Sequence, residues 1–285
     1  MEPFVQKDGT PALFHVERWR LEHNRITAGF TGRKGGYGKA PYDSFNCAFH
    51  VGDEPADVLD NRRRLAESLG FTPEAWTCGE QTHGKEIAVV TEADRGRGSL
   101  ERSTAFQSTD GLLTNVPGVL LTSFYADCVP LYFYDPVQHA AGLAHAGWKG
   151  TVAEIAAAMV GKMQEVYGSR PQDIFTAIGP SIGECCYEVD DYVMNHVRNL
   201  EDTLKPQDIQ GAEQALYSKS KTDEGKSMLN LKEMNRRIMI KAGILPTHIE
   251  CTTWCTSCNP DLFFSYRKEN GITGRMTSWI GIKES

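Results

Sequence analysis

The 285-residue chain contains no run of about 18 uncharged apolar residues, which excludes an apolar transmembrane helix. Its opening residues, MEPFVQKDGT, carry charges where a secretory signal needs an apolar segment, so the expected location is the cytoplasm. Thirteen prolines and 27 glycines are scattered, and no low-complexity linker divides the chain. One domain spanning residues 1–285 is expected, and a core of that size folds without disulfides or metal. Any metal is therefore expected to serve function rather than folding. Excess positive charge is lacking too. Lys and Arg total 30 against 37 Asp and Glu, a formal charge of −7, which argues against a broad surface for nucleic acid or anionic membrane. A local anion pocket remains compatible with that balance. No G-x-S-x-G elbow, Walker loop or dinucleotide-binding G-x-G-x-x-G turn is present.

Cysteine, by contrast, is plentiful, at positions 47, 78, 128, 185, 186, 251, 255 and 258. In a reducing compartment these are read as core filler, metal ligands or reactive thiols rather than as a disulfide framework.

Short apolar runs alternate with amphipathic helices, the mark of an α/β or α+β fold. Helices are expected over 57–69, 152–167 and 231–242, each with a three-to-four apolar spacing and a glycine just beyond. Strands are expected over 86–91, 118–124, 131–134, 140–144, 174–178, 248–252, 262–266 and 276–282. Several are apolar on both faces, which suits sheets buried between layers. The polar stretch 203–226 reads as a surface excursion.

Three candidate ligands stand at strand ends, where α/β folds collect functional groups. They are His83 in CGEQTHGKE, Cys128 in FYADCVPLYFYDP, where Pro130 is expected to interrupt an apolar run, and His145 in GLAHAGWKGT. Separations of 45 and 17 residues require the fold to bring them together. If they converge, two imidazoles and a thiolate make a three-ligand zinc site with an open fourth position. Core packing is the bland alternative for each. A metal-free hydrolase or amidase, with Cys128 as nucleophile and His83 or His145 as base, uses the same residues.

The segment HIECTTWCTSC holds His248, Glu250, Cys251, Cys255 and Cys258, but lacks the spacing of zinc deaminases and the helix of thioredoxin-like sites. Structural or incidental cysteines are expected there, with zinc or redox duty as the alternative. Cys185 and Cys186 are read as structural or pocket-lining, since neighbouring cysteines rarely bridge one another. Anions could be held by backbone N–H groups around Arg33 and Lys34 in TGRKGG, or around Lys149 in GWKG at a helix start. For Lys34 a solvated turn is the better reading.

Taken in order, AGFTGRKGG, PYDSFNCAFHVGD, NRRRL, QTHGKEI, STDGLLTN, ADCVPLYFYDP, AHAGWKGT, IGPSIGECCYEV and LFFSYRKENGITGRM closely resemble the YfiH/laccase-domain family, also labelled polyphenol oxidase or purine nucleoside phosphorylase. The resemblance runs from about residue 28 to the C-terminus. It implies an α/β/β/α sandwich with mixed sheets, and a metal site of His83, Cys128 and His145 that holds zinc, with copper(II) able to compete. It further implies phosphorolysis of adenosine, inosine, guanosine and methylthioadenosine, a pentosyl transfer, with adenosine deamination as a hydrolytic side activity. Arg33, Asn46, Gln81 and Lys149 are the implied substrate contacts, and Asp110 and Asp127 are candidate proton carriers. Thr82, Lys149 and Phe45 depart from the Val, Arg and Leu expected of the family, and a lysine at 149 lacks the bidentate fork of arginine. A copper polyphenol oxidase and a non-enzymatic metal-binding protein are the remaining alternatives. Eight histidines without one H-x-H pair argue against a multicopper cluster. The expected partners are purine nucleosides and phosphate, with no nucleic acid or membrane; the oligomeric state is left open, and a monomer is compatible with the sequence.

Overall fold

The computed structural model describes residues 1–204 and 214–284. In chain order it begins with β1 (Phe4–Lys7), β2 (Leu13–Val16), α1 (Glu17–Glu22), β3 (Ile26–Thr31), α2 (Pro55–Ser68), β4 (Trp76–Cys78) and β5 (Ile87–Val89). The middle holds β6 (Gly111–Thr114), β7 (Leu120–Tyr125), β8 (Val129–Asp135), β9 (Ala140–Ala146), α3 (Trp148–Val152), α4 (Ile155–Tyr167) and β10 (Phe175–Ile178). The last part holds β11 (Glu188–Val189), α5 (Asp191–Glu201), β12 (Tyr217–Lys219), β13 (Ser227–Leu229), α6 (Leu231–Lys241), β14 (Ile249–Cys251) and β15 (Met276–Ile282).

Two six-stranded mixed sheets form, in the orders β1-β2-β3-β15-β7-β4 and β14-β10-β8-β9-β6-β5, with a small sheet β11-β13-β12 beside them. Strand alternation divides the core between layers. Leu121 and Tyr125 of β7 and Met276 and Ile280 of β15 meet Tyr132 and Tyr134 of β8 and Leu143 of β9 between the two sheets. The opposite faces of the same strands face helices. Leu120, Phe124 and Trp279 pack with Leu65 and Ala66 of α2, whereas Leu131, Phe133 and Ala144 pack with Met159 of α4, Val197 of α5 and Ile238 of α6. The result is the expected α/β/β/α sandwich.

Several local expectations change. The helix expected over 152–167 starts at Ile155, because Glu154 adopts a left-handed conformation at φ 58° and separates α4 from the short α3. Residues 262–266 are not a strand. Phe263 and Phe264 are buried in the core between the sheets, but the backbone there turns, so apolar composition alone misled. Pro130 does not interrupt its run: it lies near the start of β8 in register with His145, where a missing N–H is tolerated. Of the 203–226 stretch, residues 205–213 lie outside the described residues, and the part from Tyr217 onward joins the small sheet.

Candidate metal centre and its cavity

The topology brings together the three residues that the chain separates. His145 is near the end of β9, Cys128 sits in the tight connection between β7 and β8, and His83 lies in the loop between β4 and β5. One donor atom from each lies within 4.8 Å of the others. The Cys128 sulfur is 3.9 Å from His83 Nε2, and the two imidazole rings stand edge to face at 4.8 Å between centroids. Gly147 leaves room for them: a Cβ there would lie 2.9 Å from His83 Cδ2 and 3.1 Å from the Cys128 sulfur.

Asp110 organises this arrangement from behind. Its carboxylate lies 2.9 Å from His145 Nδ1 and accepts the backbone N–H groups of Thr82, His83 and Gly84 at 2.8–3.0 Å. That loop needs an anchor, because Gln81 and His83 both have positive φ, at 60° and 62°. Gln81 supplies a second one, its amide exchanging hydrogen bonds of 2.8 and 2.9 Å with the backbone of Phe124. Burial would raise the Asp110 carboxyl, but the hydrogen bond and charge of His145 and the N–H groups of Gly84 and Thr82 hold it near 2. Burial would likewise push the Cys128 thiol up, and the charge of His145 with hydrogen bonds from both imidazoles brings it down to about 6. Against the opposing effect of burial, the Cys128 thiolate and the Asp110 carboxylate raise His145 to about 9. The site thus favours a thiolate in contact with two imidazoles.

The triad opens into a cavity of about 560 Å³. A second cavity of about 270 Å³ shares His83, Cys128, Trp148 and Tyr187 with it and adds Lys149 to the wall. Of the four implied substrate contacts, Gln81 and Lys149 reach these walls. Arg33 and Asn46 are placed elsewhere. Arg33 ion-pairs with Glu269 at 3.0 Å and lies over the Phe264 ring. Asn46 is fully buried, donates to Asp53 and accepts the backbone N–H of Arg275 at 2.9 Å. Neither lines the two cavities, and both brace loops through these contacts.

The two candidate proton carriers differ in placement, and of the two only Asp127 lines the cavities. Asp110 is buried behind His145, with its carboxylate on Nδ1. Asp127, at φ 92°, accepts from Thr256 Oγ1, Ser265 Oγ and the Arg267 N–H at 2.6–2.8 Å, which ties the loop at 256–267 to the Cys128 turn. Sequence reasoning missed the cationic and aromatic wall formed by Arg102, Arg267, Arg275, Tyr187 and Tyr266. Three of these five lie inside the quoted motif LFFSYRKENGITGRM, which was the available signal.

The donor set suits a metal. One thiolate and two imidazoles, one of them oriented by a carboxylate on its other nitrogen, match a three-ligand zinc site, and the cavity side supplies the open position. His248, Glu250 and Cys251 take no part: His248 stacks on Phe175 with centroids 4.0 Å apart, and burial raises the Glu250 carboxyl. Among the described residues, no helix is long and apolar enough to cross a membrane.

Comparison with known proteins agrees with this architecture. The chain is 46% identical over 257 residues, 90% of each chain, to a Geobacillus stearothermophilus protein named purine nucleoside phosphorylase YlmD. It is 41% identical over 279 residues to the Bacillus subtilis protein of the same name, covering 97% of this chain and 96% of that one. The crystal structure of YlmD from Geobacillus stearothermophilus superposes with a TM-score of 0.91 at 43% identity, covering all of both chains. Residues 27–283 match the model of the family described as multi-copper polyphenol oxidoreductase laccase, and the chain belongs to that family.

Proposed function

We propose that this protein is a metal-dependent purine nucleoside phosphorylase that holds zinc on His83, Cys128 and His145. It takes adenosine, inosine, guanosine and methylthioadenosine, and deaminates adenosine as a second activity. The reading rests on one observation: the cavity of about 560 Å³ gathers the triad, arginines and aromatic rings around a single space. The names of the relatives at 41% and 46% identity support the same reaction class.

In this reading Tyr187, Tyr266 and Trp148 offer ring faces to the purine. Arg267, Arg275 and Arg102 hold the phosphate dianion, with Lys149 as a point charge from the adjoining cavity. A phosphate oxygen bonds to C1′ of the ribose as the C1′–N9 bond breaks. The bonding pair leaves with the base, which takes a proton from solvent, and ribose 1-phosphate remains. Positive charge developing on the sugar is stabilised by the dianion that the arginines position. Bound zinc supplies Lewis acidity and, for deamination, a source of nucleophilic water. Asp110 keeps His145 and the His83 loop in place throughout. We further read residues 1–285 as one domain and the location as cytoplasmic, in keeping with eight cysteines that are all free thiols.

The test is incubation of metal-analysed protein with adenosine or inosine, with and without phosphate, in zinc-loaded and copper(II)-loaded arms. Phosphate-dependent release of free base and ribose 1-phosphate is expected, together with phosphate-independent ammonia release from adenosine. Both should vanish in folded His83→Ala and Cys128→Ala variants. Unchanged turnover in those variants would remove the site assignment, and no turnover at any metal loading would leave a metal-binding protein without this activity.

A further inference from the structure

The two cysteine segments that looked incidental in the sequence meet in space. Cys185 and Cys186 lie between β10 and β11, and Cys255 and Cys258 lie between β14 and β15. Their four sulfurs lie within 4.8 Å of one another. Cys258 Sγ is 3.5 Å from Cys185 Sγ and 3.4 Å from Cys186 Sγ. All four are free thiols.

We propose that Cys185, Cys186, Cys255 and Cys258 form a second metal site, a closed four-thiolate centre for zinc(II) that clasps one wall of the cavity. Zinc–sulfur bonds of about 2.3 Å place the sulfurs of a tetrahedral site about 3.8 Å apart, so the observed cluster needs only small adjustments. A disulfide needs its sulfurs at about 2.05 Å, a far larger collapse. Cys255 and Cys258 have the Cys-x-x-Cys spacing of zinc-binding turns.

The backbone around the cluster is shaped for it. Gly183 donates its N–H to the Cys255 sulfur at 3.2 Å, a bond that favours the thiolate that a metal requires. A Cβ on Gly183 would lie 3.1 Å from the Cys185 sulfur and 3.5 Å from the Cys255 sulfur, so the glycine keeps the space between them open. The Thr256 N–H donates to Ser181 O at 3.1 Å, which holds the two segments side by side.

Binding releases the thiol protons to solvent and ties residues 181–187 to residues 255–258. Ile182 and Tyr187, at either end of the first segment, line the cavity. Thr256, inside the second, donates to Asp127 beside Cys128 at 2.6 Å. Chain length led to the expectation that a metal here would serve function rather than folding. This centre is structural, and four sulfurs leave it no open position.

The test counts metal site by site. Full-length protein is equilibrated with zinc(II), freed of loose ions, and analysed by mass spectrometry for zinc per chain. Two equivalents are expected in the wild type and one in either double variant, His83→Ala/Cys128→Ala or Cys185→Ser/Cys258→Ser. Should the second variant fail to fold, cobalt(II) substitution of the first decides the matter. It should give the intense charge-transfer and visible bands of a tetrahedral tetrathiolate. Absence of those bands overturns the proposal, as does a metal-free cluster that is fully alkylated in the native zinc-treated protein. Peptide mapping that finds a native disulfide among the four cysteines also overturns it, in favour of a redox pair.

Discussion

The Asp110 carboxylate meets His145 Nδ1 at 2.9 Å, and it also accepts the N–H of His83 itself. One side chain therefore orients two of the three candidate ligands. The pair is almost completely buried, with side-chain exposures of 0% and 4%, so neither partner has water as a substitute.

Asp110→Asn keeps the shape and removes the charge. Carboxylates that hold the far nitrogen of a metal-ligating histidine are worth about 10–100-fold in metal affinity, and a loss of that size is expected for zinc. Competition against a chromophoric chelator measures it, and wild-type affinity in the variant would show that Asp110 does not orient the site.

Gly147→Ala separates the site from the fold. The backbone at φ −70° and ψ 179° suits any residue, and the atoms nearest the new methyl belong to His83 and Cys128. Zinc affinity should fall by about tenfold, equivalent to about 1.4 kcal/mol, with the far-ultraviolet circular dichroism unchanged. Titration of both proteins with zinc checks this, and undiminished binding would mean that the triad does not close around one ion.

His15 gives a pH signature away from the site. Burial, with the charges of Arg20 and Lys7 adding to it, lowers its pKa to about 4. Between that value and the ordinary one near 6.5 the unfolded chain binds a proton that the folded chain refuses. Its contribution is therefore complete above about pH 6.5 and lost as pH falls toward 4, on the order of 2 kcal/mol. Urea denaturation of wild type and His15→Gln across this range should show a shallower slope for the variant; parallel curves would contradict the assignment.

Glu154→Gly should stabilise the protein. Glu154 holds a left-handed conformation at φ 58° between α3 and α4, which costs an L-residue about 1–2 kcal/mol and glycine little. The ion pair lost with Lys241, 3.5 Å long and well exposed, is worth little. A rise of about 1 kcal/mol in unfolding free energy is expected from urea midpoints, and a fall would show that the break relies on the side chain.

Helices α2, α4 and α6 were legible because each writes its buried face into a three-to-four repeat. The segment 262–266 was not. Phe263 and Phe264 have the composition of a strand, but their backbone is directed by Asp127, which binds the Arg267 N–H from 140 positions away. Arg267 and Arg275 stood in a recognised motif, and nothing in their order says which arginine faces the cavity. Arg33 shows the converse, a cation beside glycines whose charge is taken up by Glu269, 236 positions away.

By itself the sequence determined the layered α/β class and the nomination of His83, Cys128 and His145. Those follow from periodicity, composition and ordered motifs, which are local properties. Convergence was decided only by the tertiary structure. The pairing of β8 with β9 sets Cys128 against His145, Asp110 draws in the His83 loop, and the packing of residues 181–187 against residues 255–258 brings together two cysteine pairs that no spacing connects. Contacts between residues distant in sequence depend on sheet register and layer packing, which a linear pattern constrains without specifying.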